Sequence, residues 1–260
     1  MKQLTILCCF LITIGYSQSV QTALNINKPE DFRPGVLVSE VTSNMTFYNS
    51  NGTIEKKKEV TVLNAQHRVT SEQRYNEEGT LTQRLTWRYD STGTKSLGRK
   101  LERWHKLMGY SCETSFHEYD ANGFLVQTVE KDKDQQVFRI TSMKNDDHGN
   151  TVELTTTDGQ GNLYGQEQVT YDYNNNLMTI KYFNGKGEMI SENSGKIDYV
   201  DKNDNSIEKN EFGDTVKSAD FEYEYKYDKK GNWTFMTIYK IKLGKKVKQS
   251  EFSRKIKYTT

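Results

Sequence analysis

The sequence predicts an all-β fold: an elongated antiparallel meander of repeated β-hairpins, arranged as an open sheet or a solenoid-like array. Three observations carry this. A frame of an aromatic, a small polar residue, two further positions and a glycine returns in full at Tyr75-Asn76-Glu77-Glu78-Gly79, Tyr89-Asp90-Ser91-Thr92-Gly93, Tyr119-Asp120-Ala121-Asn122-Gly123 and Tyr227-Asp228-Lys229-Lys230-Gly231. Looser copies run from Tyr48 to Gly52, Tyr171 to Asn175 and Phe183 to Gly187. A repeat this short holds one strand and one turn, and buries its apolar face only against neighbouring copies. Second, the segments between frames alternate with period two: Phe221, Tyr223, Tyr225 and Tyr227 against Glu222, Glu224 and Lys226, and Leu85, Trp87 and Tyr89 against Thr86 and Arg88. Third, the closing residues Gly52, Gly79, Gly93, Gly123, Gly149, Gly161, Asn175, Gly187, Gly213 and Gly231 fall at intervals near one or two multiples of a unit. That unit is about 13 residues, room for a strand and a tight turn.

Taken in chain order, residues 1–17 read as a secretory signal: Lys2, an apolar run from Leu4 to Ile14, then Gly15-Tyr16-Ser17, with cleavage expected after Ser17. The apolar run is shorter than the roughly 20 residues that span a bilayer. Residues 18–35 form a leader or linker that holds both prolines, Pro29 and Pro34. Residues 36–260 form a single β-hairpin repeat domain. Within it, Leu97, Leu101, Trp104 and Met108 follow helical spacing, which predicts one short helix near 96–108.

Composition agrees with a thin, wet sheet. The apolar share is 34%, the aromatic share 12% and tyrosine alone numbers 16, with a mean hydropathy of −0.85. Tyrosine buries a ring while keeping its hydroxyl wet, so it covers a half-exposed sheet where leucine would need a thick core. Once the signal is removed, Cys112 is the one cysteine left, and no internal disulfide is available to a chain bound for an oxidising compartment.

The frames at Tyr227 to Thr234 and Tyr119 to Leu125 resemble YD repeats, the units of the RHS and teneurin families, and the likeness extends from Val36 to Tyr258. Tyr182-Phe183-Asn184-Gly185-Lys186-Gly187 is also similar to MORN-type repeats. The resemblance implies a hairpin array. The long members of the RHS family enclose cargo, and this chain is too short for that role. It is similar instead to short secreted proteins of the Bacteroidetes, which implies a place in the periplasm or outside the cell.

No enzyme motif stands out. His67, His105, His117 and His148 form no metal-ligand spacing, and the glycine turns do not sit between a strand and a helix as phosphate loops do. Neither a catalytic residue, a metal nor a cofactor is expected. Asp201-Lys202-Asn203-Asp204-Asn205 has oxygens at alternate positions, but Ser206 and Phe212 replace the glycine and glutamate of a calcium loop, so it reads as a hairpin turn.

Charge gives the ligand expectation. From Lys226 to Thr260 there are ten lysines and one arginine against Asp228 and Glu251, a local +9 that leaves −8 on the rest of a chain of net +1. Trp233, Tyr239, Lys240, Lys242, Lys245, Lys246 and Lys248 are the candidate ligand-binding residues: aromatic faces stack on sugar rings and ammonium groups attract anions. Lysine on terminal strands also serves to block edge pairing. The expected role is a secreted or periplasmic non-enzymatic binding or scaffold protein, with an anionic glycan or a protein as partner and no nucleic acid. The alternative is a periplasmic immunity protein that neutralises a toxin. An envelope glycosidase with an unrecognised carboxylate pair comes third.

Overall fold

The computed structural model describes residues 30, 32–197, 207–218 and 220–259. The signal segment, most of the leader and the Asp201–Asn205 run lie outside the described residues. Among the described residues the chain is all-β, as expected, with seventeen strands and no helix. They are β1 (Val38–Tyr48), β2 (Ile54–Leu63), β3 (Val69–Tyr75), β4 (Leu81–Tyr89), β5 (Ser96–His105), β6 (Gly109–Tyr119), β7 (Leu125–Lys131), β8 (Val137–Asn145) and β9 (Thr151–Thr157). There follow β10 (Leu163–Asp172), β11 (Leu177–Asn184), β12 (Met189–Lys196), β13 (Glu208–Lys209), β14 (Thr215–Lys217), β15 (Phe221–Tyr227), β16 (Trp233–Lys242) and β17 (Lys245–Tyr258).

The strands fall into two compact units. A middle unit comprises His117–Lys131 and Gln135–Ile197, and a terminal unit comprises residues 30–116, 132–134 and 207–259. In the middle unit β7 to β12 pair in sequence, each antiparallel to the next. In the terminal unit β2 to β6 form one meander and β13 to β17 another. β1 joins the two, bonded to β2 on one side from Glu40↔Val62 to Tyr48↔Ile54 and to β17 on the other from Val38↔Tyr258 to Phe47↔Ser250. β17 is paired with β1 from Ser250 to Tyr258 and with β16 from Lys245 to Ser253, so Lys245, Lys246 and Lys248 lie on the stretch of β17 that has a strand on one side only.

The repeated frame builds one turn. The Asp120 carbonyl accepts the Gly123 amide at 3.0 Å, and the Asp120 amide donates to the Phe124 carbonyl at 2.9 Å. The Asp120 carboxylate accepts two further amides, from Asn122 at 3.0 Å and Phe124 at 2.8 Å. The same bonds recur at Asp146, Asp158, Asn184, Asn210 and Asp228. The closing glycines have φ from 72° at Gly93 to 89° at Gly161, and the register slips by one residue beside the turn, as between Lys226 and Tyr227. This is the three-residue hairpin loop ending in a left-handed residue and a bulge. Two turns depart from the sequence reading. Asn64 to His67 makes the same turn with His67 at φ 55° where glycine is usual. The Tyr171 to Asn175 copy is no frame turn: Asp172 pairs with Leu177, and Asn176 is its left-handed residue at φ 54°.

Three tyrosine hydroxyls clasp the turns from outside them. The Tyr173 hydroxyl donates to Asp146, a turn acid on an earlier hairpin, and accepts from Asn150 at 2.8 Å. Tyr258 does the same with Asp228 and Asn232, and Tyr227 with Asp214 at 2.7 Å and Asn210 at 2.6 Å. Each clasp ties one turn to a neighbouring strand, linking the local frame to the stacking of repeats.

The expected helix near 96–108 is overturned. Residues 96–105 are β5, paired with both β4 and β6. Gly98 decides it: at φ 142° it lies so close to β6 that a Cβ there would sit 2.1 Å from the Ser115 carbonyl oxygen. A close backbone approach of this kind is the ordinary reason for a glycine inside a strand, and the ladder bonds outweigh a helical spacing of four apolar residues.

The leader's described residues lie on the terminal unit. Phe32 packs against the buried cluster of Val38, Val41 and Leu63, as do Ile256 and Tyr258. Arg33 donates to the carbonyls of Gly231 at 2.8 Å and Phe212 at 2.5 Å, and pairs with Asp214 at 2.5 Å.

Candidate binding surface

Register places Tyr48, Lys58, Tyr75, Tyr239, Lys246 and Lys248 on one face of the terminal unit, opposite the face that carries Val41, Leu63 and Ile256. Most of the candidate lysines there are already engaged. Lys246 Nζ lies 2.7 Å from Glu222 and 3.3 Å from Glu224, above the Tyr239 ring at 5.4 Å, and Tyr239 donates to Glu224 at 3.1 Å. Lys248 pairs with Glu251 at 2.7 Å and lies 5.6 Å from the Tyr48 ring centre. The bond to Glu222 raises the Lys246 pKa, and that to Glu251 raises the Lys248 pKa, so both stay charged. Lys240 lies over Phe221 at 5.8 Å, while Lys242 and Lys245 face each other, exposed, across the β16–β17 hairpin. Trp233 is not free to stack on a ligand from the face covered by Arg254. That guanidinium sits 3.3 Å from the ring centre and donates to the Trp233 carbonyl at 3.0 and 2.8 Å, and burial lowers the Arg254 pKa to about 10. The +9 window therefore overstates the free charge of the surface, because β15 brings Glu222 and Glu224 against it.

A concave site lies instead on β1 to β3, as a recess of 510 Å³ bordered by Met45, Phe47, Lys57, Lys58, Arg74 and Tyr75, with Glu55, Glu59 and Glu77 at its margin. Three successive strands supply it: β1 gives Phe47, β2 the Lys56-Lys57-Lys58 run, and β3 Arg74 and Tyr75. Lys57 Nζ stands 5.4 Å from the Phe47 ring centre and Lys58 Nζ 5.2 Å from that of Tyr75, each at cation–π range. Arg74 is held between Glu59 at 2.9 Å and Glu72 at 2.7 Å. Burial, then the charge of Glu59, pushes the Glu72 carboxyl up against the opposing pull of Arg74. Glu59 borders the recess and Glu72 does not, so these two carboxylates do not flank a bond lodged there, as glycoside hydrolysis requires.

Sequence reasoning missed this recess because Phe47 meets Lys57, and Tyr75 meets Lys58, only through strand pairing. The triple lysine between Glu55 and Glu59 is the one local signal. Among the described residues no cluster of three His, Cys, Asp or Glu side chains is placed to hold a metal ion. Cys112 is buried on β6.

No family model matches the chain, and no curated protein matches it. Among solved structures it is similar to a porin-like protein from Bacteroides uniformis, at 12% identity and a TM-score of 0.43, over 85% of this chain and 96% of that one. It is also similar to a porin-like protein from Bacteroides vulgatus, at 9% identity and a TM-score of 0.30, over 86% of this chain and 99% of that one. No helix of the described residues is long and apolar enough to cross a membrane.

Proposed function

We propose that this is a non-enzymatic binding protein of the bacterial envelope, secreted or periplasmic, that takes a unit of an acidic glycan in the recess on β1 to β3. The observation that supports the reading is the Phe47 ring with Lys57 and Arg74 on its face of the sheet at the border of one concave site, which Tyr75 with Lys58 borders from the opposite face. A sugar ring offers a C–H face to Phe47 and hydroxyls and a carboxylate to Lys57 and Arg74, which share the Phe47 face of the sheet. A recess of 510 Å³ lies within the usual size of small-ligand sites. The open β16–β17 lysines, Lys242 and Lys245, supply a second, weaker contact for the same polymer.

Calorimetric titration with acidic and neutral envelope oligosaccharides tests this. Binding of the acidic series, weakened about tenfold by Lys57→Ala with Lys58→Ala and falling with salt, is the expected result. Equal binding by that variant, stoichiometric capture of one toxin-like protein with no glycan bound, or turnover of the glycan would each overturn the reading.

A further inference from the structure

Two hairpins of the terminal unit end in apolar side chains that do nothing for the fold. At the β5–β6 apex Leu107 is 89% exposed and Met108 73%, and at the β16–β17 apex Leu243 is 103% exposed. Leu243 also stands at φ 49°, followed by Gly244 at φ 74°. Two successive left-handed residues make a turn that favours Asn-Gly. A leucine there has poor local conformation and no packing in return. Both apices lie at the same end of the ladder: β1, β3, β5 and β16 run in one direction through the antiparallel pairing, so the turns that follow them fall at the same end of the strands.

The β5–β6 tip is also graded along its length. Leu107 and Met108 form the apex, and the turn is held by the His105 imidazole, whose Nδ1 accepts the amides of Leu107 and Met108, each at 3.2 Å. One step back, Trp104 and Tyr110 pair across the strands with ring centres 5.6 Å apart. Arg84 lies over Trp104 at 5.3 Å, and the Tyr110 hydroxyl donates to Glu102 at 2.9 Å. Exposed Lys106 flanks this apex, and exposed Lys242 and Lys245 flank the other. Apolar apex, aromatic tier and cationic flank follow the depth profile of a bilayer surface, from acyl chain to interface to phosphate.

We infer that the β5–β6 and β16–β17 tips dock this protein on a lipid bilayer, with Leu107, Met108 and Leu243 entering the interface and Lys106, Lys242 and Lys245 favouring anionic headgroups. Glu77 and Glu78, on the β3–β4 turn at the same end, oppose an anionic surface, so contact is made by two separate tips rather than by the whole end.

Flotation of the purified full chain with vesicles of phosphatidylcholine, with and without phosphatidylglycerol, tests it. Wild type is expected to float, more so with phosphatidylglycerol, and to float about tenfold less with Leu107→Glu plus Met108→Glu or with Leu243→Glu. Ile190→Glu, a control at an apolar residue of the middle unit that is 65% exposed, is expected to leave flotation unchanged, and all variants to keep the wild-type melting curve. Failure of wild type to float would overturn the inference. So would tip variants that float normally, equal loss in Ile190→Glu, or a dimer in sedimentation that the tip variants disperse without any lipid binding. None of the substituted residues borders the recess, so failure here leaves the glycan reading standing, and failure of glycan binding leaves this one standing.

Discussion

In the middle unit Leu125, Met143, Leu154, Val169, Met178 and Ile180 are buried together, with Tyr119, Tyr171 and Tyr182 around them. The terminal unit buries a smaller aliphatic set, Val38, Val41 and Leu63, and covers many of its rings with cations instead: Arg254 on Trp233, Arg99 on Trp87, Arg88 on Phe116, Lys226 on Phe235. Both units use the same Asx–glycine turn. An aliphatic core gives a sheet stability and little chemistry. Rings capped by Lys and Arg give about 0.5–2 kcal/mol each and leave charge at the surface, which is where the recess on β1 to β3 is found.

The largest expected effect tests how differently the two units depend on a buried cation. In the middle unit Arg139 is paired with Glu130, their side chains 14% and 4% exposed. Glu130→Ala removes the buried carboxylate beside Arg139, and should cost about 3–5 kcal/mol in urea unfolding. In the terminal unit Arg254→Met removes a stacked guanidinium but leaves no opposite charge stranded, and should cost about 1–3 kcal/mol. Equal losses would erase the distinction.

Within the middle unit, Gly149→Ala and Gly187→Ala place a methyl at nearly the same φ, 81° and 79°. The left-handed conformation alone costs about 1–2 kcal/mol. At Gly149 the new Cβ would also meet the Phe124 ring at 2.4 Å, while at Gly187 nothing lies within 4 Å. Melting curves should therefore rank Gly149→Ala as the more damaging.

The clasps are smaller still. Tyr258→Phe in the terminal unit and Tyr173→Phe in the middle unit each remove one hydroxyl from an Asp–Asn pair. Each should cost about 1 kcal/mol, and similar losses in both units would show that the clasp is common to them.

These clasps also show how much was legible in the sequence. The Asp120 and Asp228 turns lie where the frame places them because side-chain acceptor, glycine and strand spacing are all local. The 96–108 segment reads as a helix from its own residues because what makes it a strand, the close approach of Gly98 to the Ser115 carbonyl, comes from another strand. The β16–β17 lysines were visible, but Glu222 and Glu224, which occupy Lys246, sit on β15 just outside the basic window. Phe47 and Lys57 carry no shared local signal at all, nor do Lys58 and Tyr75; only the β1–β2–β3 pairing brings each pair together.

The smallest effect is on pH. Asp90, chiefly through the Lys95 amide, and Asp158, chiefly through the Asn162 side chain, are held below the ordinary carboxylate range. A lowered folded pKa contributes stability above the unfolded value, near pH 4, that is lost as pH falls through the folded one. Melting temperature should therefore fall below about pH 4, and less steeply in Asp158→Asn.

The claim that the terminal unit binds and the middle unit supports is tested most directly by hydrogen–deuterium exchange with and without an acidic envelope oligosaccharide. The account predicts new protection in β1 to β3, around Phe47, Lys57, Lys58 and Tyr75, with β7 to β12 unchanged. Protection centred instead on the middle unit's own recess, bordered by Arg139, Tyr164, Tyr182 and Ile190, or no protection at saturating ligand, would contradict it.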